Sequence, residues 1–132
     1  MVYEIIKGRE ILKIWGKEII MENREEENYC GKQIHIKKGM RTSLHFHKIK
    51  LETLFVIQGR ILMEMRENGH GHLQEIVLEE NQGIYIPRGT IHRIGGLAES
   101  VIIENSTYHR DSDSNRIEKN NYIPQEIMER YR

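Results

Sequence analysis

Cysteine is almost missing from this chain. Cys30 is its one thiol, so no disulfide can form within it, and the expected location is a reducing cytoplasm. Long apolar runs are missing too; the longest, near Val101–Ile103, has the length of a strand core. The opening MVYEIIKGRE holds no apolar stretch of signal-peptide length, and nothing reaches the length of a membrane span. Net charge is also absent, with twenty acidic residues against twenty basic ones. That balance removes the electrostatic case for nucleic acid or an anionic membrane as main partner and leaves a small molecule. The acidic run NREEEN at 23–28 reads as a solvated hairpin loop.

What remains is a chain of 132 residues, the size of one domain. Short β-prone stretches recur along it: EIIME, then about 29–37, 42–47, 52–57, 60–66, 73–78, 84–86, 91–94 and 100–104. Turn residues divide them at Asn81–Gly83, Pro87–Gly89 and Gly95–Gly96. Many short strands with little helix predict an all-β sandwich or barrel. Residues 1–16 form an arm in which Glu4–Leu12 is either a short helix or an edge strand reaching over a partner. The barrel should occupy about 17–106. A polar tail fills 107–132 and ends in a short helix after Pro124. Met63 and Met65 fall at strand spacing and read as core filler rather than soft-metal ligands. His35 reads as a packing or surface residue, His70 and His72 as an exposed loop tip, and His109 as an exposed tail residue.

Four positions carry chemistry before any comparison is made. His45 and His47 lie two apart in TSLHFH. In a strand, residues i and i+2 share a face with Cα atoms about 6.6 Å apart, within reach of one ion. Glu52 opens the next β-like run, and His92 follows the turn Pro87-Arg88-Gly89. Three imidazoles and a carboxylate make an N/O donor set suited to one divalent ion among Zn, Mn, Fe, Co and Ni. Ordinary histidines titrate near pH 6.5, so acidification below about pH 6 should release that ion.

The spacing of these residues resembles the cupin superfamily. Gly39, His45, His47, Glu52 and Gly59 fit its first motif, and Pro87, Gly89 and His92 fit its second. Asn81 stands where the second motif opens with glycine, and Gly96 where it closes with asparagine. A finer likeness runs through Trp15-Gly16-Lys17, KKGMRTSLHFH, EENQGIYIPRGTIHR, IIENS, a D-x-D and Arg116. It resembles the small single-domain cupins and the C-terminal cupin domain of type II mannose-6-phosphate isomerases. The resemblance implies a jelly-roll β-barrel, also described as a double-stranded β-helix, with the metal in its mouth. It does not extend to a nucleotidyltransferase half, and nucleotidyl transfer is not expected.

The implied activity is isomerisation of a sugar or sugar phosphate, by proton transfer between C1 and C2 through a metal-stabilised enediolate. Glu104 and Glu64 are strand carboxylates able to act as the base. Lys50, Arg60 and Arg93 are candidates for a substrate anion, although alternation aims Arg93 away from the metal. Tyr85 could meet substrate hydroxyls. The competing readings are a metal-dependent dioxygenase of the cupin type and a non-catalytic sugar- or metabolite-binding cupin. The apolar N-terminal arm, with the habit of small cupins of pairing through their sheets, points to a homodimer.

Overall fold

In the computed structural model of the protein, residues 2–66 and 71–132 are described. Alternation builds the strands. Along Tyr29–Ile36, every second residue is buried: Cys30, Lys32, Ile34 and Ile36 point inward while their neighbours face out. The strand series runs β1 (Arg9–Lys13), β2 (Gly16–Arg24), β3 (Tyr29–Ile36), β4 (Leu44–Phe46), β5 (Glu52–Gln58) and β6 (Ile61–Arg66). It continues through β7 (Gln74–Leu78), β8 (Gly83–Ile86), β9 (Ile91–Gly96), β10 (Ser100–Ser106) and β11 (Asn115–Glu118). One helix, α1 (Gln125–Arg130), follows Pro124.

The strands pair antiparallel into two sheets, ordered β1-β2-β3-β10-β5-β8 and β11-β4-β9-β6-β7. The expected all-β fold, with one short C-terminal helix, is what the chain forms. Between the sheets lies a core of Trp15, Ile34, Ile36, Leu54, Val56, Ile61, Met63, Leu78, Ile86, Ile94 and Ile102. Each such side chain contributes on the order of 1.5–3 kcal/mol on full burial. Met63 is fully buried and Met65 packs against the same cluster. No helix among the described residues is long and apolar enough to cross a membrane.

Backbone geometry at Asn81 and close packing at Gly96 explain the two departures in the second motif. Asn81 has φ +66°, the left-handed region that asparagine tolerates better than most side chains. Gly96 sits where β9 runs against the end of β3: a Cβ there would lie 2.5 Å from Ile36 and 2.7 Å from the Lys37 carbonyl oxygen. An asparagine would not fit. Gly95–Gly96 is therefore not a turn, as the sequence implied, but the last part of a buried strand.

Two other expectations change. Of the two readings of the N-terminal arm, the edge strand is the one formed, and β1 pairs with β2 of its own chain. The tail is more ordered than its polarity implied. It forms a 3-10 turn at Asp111–Asp113 and then β11, which extends the second sheet beside β4. His72 is exposed; His70 lies outside the described residues.

Candidate metal centre

His45 and His92 face each other across the β4–β9 ladder. His47, two residues on, projects from the same side. The ligand atoms of His45, His47 and His92 all fall within 4.8 Å of one another. Each ring is oriented by its Nδ1–H. His45 donates to the Ser43 carbonyl at 2.7 Å, His47 to the Asp113 carbonyl at 3.0 Å and His92 to the Thr90 carbonyl at 2.9 Å. A proton on Nδ1 leaves the Nε2 lone pair bare, the tautomer a metal ligand needs.

Glu52 joins this cluster through His92, whose Nε2 lies 3.0 Å from Glu52 Oε1. Both ring nitrogens of His92 thus face oxygen acceptors, whereas a neutral imidazole has one N–H to give. Glu52 Oε2 is buried without a hydrogen-bond partner; Lys50 Nζ comes within 3.1 Å but not at a hydrogen-bonding angle. A cation among these groups satisfies the surplus acceptors, so the residues fit a divalent ion. Burial works against the Glu52 charge, but the His92 contact and nearby Lys50 outweigh it and hold the carboxyl well below its usual range.

Behind the imidazoles, Lys50 is buried with its ammonium 3.1 Å from each of Glu52, Glu104 and His109 Nδ1. Burial alone would lower its pKa. Glu104 and Glu52 outweigh that and raise it above the ordinary lysine value. Lysine is donor only, so His109 Nδ1 accepts and its Nε2–H donates to Asp111 at 3.0 Å. Glu104 also accepts from Ser106 at 2.9 Å. Asp113 ties the site together: its carboxylate takes the backbone N–H groups of Lys48, Ile49 and Lys50, while its carbonyl holds His47. The three imidazoles, Lys50, Glu52, Glu104 and His109 line a cavity of about 900 Å³ between the sheets.

Comparisons with known proteins identify the family and the fold. The family model described as "Mannose-6-phosphate isomerase C-terminal" matches residues 3–119. The chain belongs to that family. Among curated relatives, a mannose-1-phosphate guanylyltransferase of Sinorhizobium fredii is 28% identical over 120 residues, covering 86% of this chain and 22% of that one. A putative mannose-1-phosphate guanylyltransferase of Vibrio cholerae is 29% identical over 119 residues, covering 87% and 24%. The chain thus spans about a quarter of the length of these relatives. Solved structures show the same fold at low identity. CapF, a capsular polysaccharide assembling protein of Staphylococcus aureus, gives a TM-score of 0.74 at 18% identity, covering 85% of this chain and 34% of that one. Oxalate decarboxylase of Bacillus subtilis gives 0.71 at 19%, covering 83% and 30%. KdgF of Halomonas sp. gives 0.66 at 17%, covering 81% and 92%. All three are cupins, and the cupin likeness read from the two motifs holds.

Within this member of the mannose-6-phosphate isomerase C-terminal family, the remaining candidates divide sharply. Lys50 and Glu104 line the cavity beside the imidazoles. Glu64 does not. It sits opposite Arg93 in the β6–β9 ladder, and its neighbour Met65 is the residue opposite His92. Strand alternation therefore puts Glu64 and Arg93 on the far face of the sheet, where Glu64 is bound by Arg93 and Arg41. Tyr85 points to solvent on the outer face of β8, and Arg60 is held by Glu79 and the Tyr131 carbonyl. Conversely, His109 was expected in solvent. Asn23 clamps its backbone N–H and C=O from 86 residues away and turns the ring inward. The nearby D-x-D was the only local sign of this arrangement.

Burial lowers the pKa of His45 to about 3, assisted by His92, and that of His47 to about 4, assisted by Lys50. This revises the expected acid release. Protons compete with a bound ion only as the pH nears the values of the folded, metal-free ligands. Elemental analysis after stepwise dialysis should find metal retained at about pH 5 and lost toward about pH 4. Release already complete at about pH 6, the behaviour of ordinary histidines, would contradict the burial argument. In the metal-free protein the unfolded chain takes protons first, so stability should fall as the pH drops from about 6.5 toward these values, and change little from this cause above that window.

Proposed function

We propose that the protein is a metal-dependent isomerase acting on a sugar or sugar phosphate. The observation that carries this reading is the convergence of three imidazoles with bare Nε2 atoms beside two buried carboxylates. A divalent ion held by His45, His47, His92 and Glu52, drawn from Zn, Mn, Fe, Co or Ni, would supply Lewis acidity toward a carbonyl and its neighbouring hydroxyl. Lys50 places one positive charge between Glu52 and Glu104. Both hydrogen bonds to Glu104 fall on Oε2. Its Oε1 is then the basic oxygen for moving a proton between C1 and C2 of the open-chain sugar. Burial of the cavity wall limits water that would otherwise trap the carbanion. The name of the family supports a sugar-phosphate substrate.

The test is a panel of aldose and ketose phosphates and their unphosphorylated parents, run in deuterated water with protein loaded with each metal in turn. Isomerisation with deuterium entering at C2 is the expected result. Glu104→Gln should slow it by about 10²–10⁴-fold, the usual worth of a general base, without changing metal content. Oxygen consumption in place of isomerisation would mark a dioxygenase. Ligand binding without exchange under any metal would mark a non-catalytic binder. Either result overturns the proposal.

A further inference from the structure

The cavity is bordered by cations that form no ion pair among the described residues. Arg116 stands opposite His45 in the β11–β4 ladder, and directly opposed residues put their Cβ atoms about 4.5–5.5 Å apart on one face. Arg9 and Lys13 lie on β1. β1 and β11 are the outermost strands of their respective sheets, and all three side chains line the cavity. Two basic edges therefore flank the opening that leads to the imidazoles.

These three residues differ from the other cations of the cavity in having no partner. Lys32 pairs with Glu18 at 3.8 Å, Lys50 is shared by Glu52 and Glu104, and Arg110 pairs with Glu25 at 2.9 Å. Among the described residues, Arg9, Lys13 and Arg116 have no carboxylate within ion-pair distance. The anion receptors expected from the sequence are already engaged: Lys50 within the site, Arg60 by Glu79, Arg93 by Glu64. A guanidinium offers a planar fork of N–H donors that matches a phosphate or carboxylate.

We propose that Arg116, with Arg9 and Lys13 across the opening, reads a terminal anionic group on the ligand. The ligand is a polyhydroxylated molecule carrying one phosphate or carboxylate at the end remote from the imidazoles. A cavity of about 900 Å³ has room for such an extended molecule. This inference rests on the reading of the imidazole cavity as the substrate site, but it makes a claim about binding and not about turnover.

The test therefore uses ligands that cannot isomerise. Mannitol, mannitol 1-phosphate and gluconate are titrated calorimetrically into metal-loaded protein. At least one anion should bind about tenfold or more tightly than mannitol, and the preferred one identifies the group. Arg116→Gln should remove most of that preference, and the Arg9→Gln/Lys13→Gln pair part of it. Metal content and melting temperature should stay at wild-type values, since Arg9 and Arg116 are exposed and Lys13 half-exposed. Equal affinity for all three ligands, no binding of any, or a preference that survives in both variants would overturn the inference. An isomerase that fails the sugar panel yet shows the anion preference loses only its proposed chemistry. One that turns over neutral sugars without the preference loses only the anion-reading opening.

Discussion

Replacing His47 with alanine is expected to leave the purified protein with little bound divalent metal. The variant removes one of three Nε2 donors that lie within 4.8 Å of one another. Disturbing even the groups that orient metal ligands typically costs about 10–100-fold in affinity, and losing a ligand itself should cost more. Stability should follow. A ligand present at about 100 times its Kd adds about 2.7 kcal/mol to the folded state, which corresponds to several degrees in Tm for a domain of this size. The variant also frees the Asp113 carbonyl, which His47 occupies, so the comparison has to separate metal from packing. Chelator-treated wild type supplies that control, because its Tm should fall most of the way to that of the variant. His72→Ala alters an exposed residue and should change neither quantity. Metal content in His47→Ala equal to wild type would remove the imidazole cluster from the account of this protein.

The imidazole cluster was legible because its information is local. His45 and His47 share a face by strand periodicity alone, and the turn ahead of His92 starts a strand that pairs directly with His45. Three positions on neighbouring strands fixed most of the geometry. The residues around the cluster were less legible, since long-range contacts set them. His109 faces inward because Asn23 holds its backbone, and beyond the nearby D-x-D nothing close to residue 109 in sequence points to that. Asp113 reaches His47 through its main-chain carbonyl, a role to which any side chain is blind. Arg116 was visible as part of a likeness, but its place at the opening depends on β11, a strand that a polar, charged stretch did not announce.

Glu64 failed as a catalytic candidate for a different physical reason. Alternation marks which face of a strand is buried only when the other face is wet. On β6, Ile61, Leu62, Met63 and Glu64 are all buried. The segment after β11 crosses the outer face of that sheet: Arg41 donates to the Asn120 carbonyl, and Asn121 donates back to Arg41. An inward-looking carboxylate and an outward one under a strap then look alike in sequence. What distinguishes them is the partner, and for Glu64 the partners are two guanidiniums.

That pairing predicts a large effect on stability with none on the metal centre. Glu64 accepts from Arg93 through both oxygens at 2.9 Å and from Arg41 at 3.1 Å, with all three side chains less than a tenth exposed. Burial and the neighbouring Arg93 already lower the pKa of Arg41. Glu64→Ala would leave two buried like charges facing each other, with Glu118 alone, half-exposed, near Arg93. Removing one member of a buried ion pair typically costs about 3–5 kcal/mol. Denaturant unfolding of Glu64→Ala should show a loss of that order, while the folded fraction keeps its full complement of metal. Replacing Glu64, Arg93 and Arg41 together with Leu, Met and Met should recover much of the loss, because no uncompensated charge remains in the sheet. A role for Glu64 as the base would produce the opposite pattern: stability near wild type, with isomerisation abolished and not restored by the triple replacement.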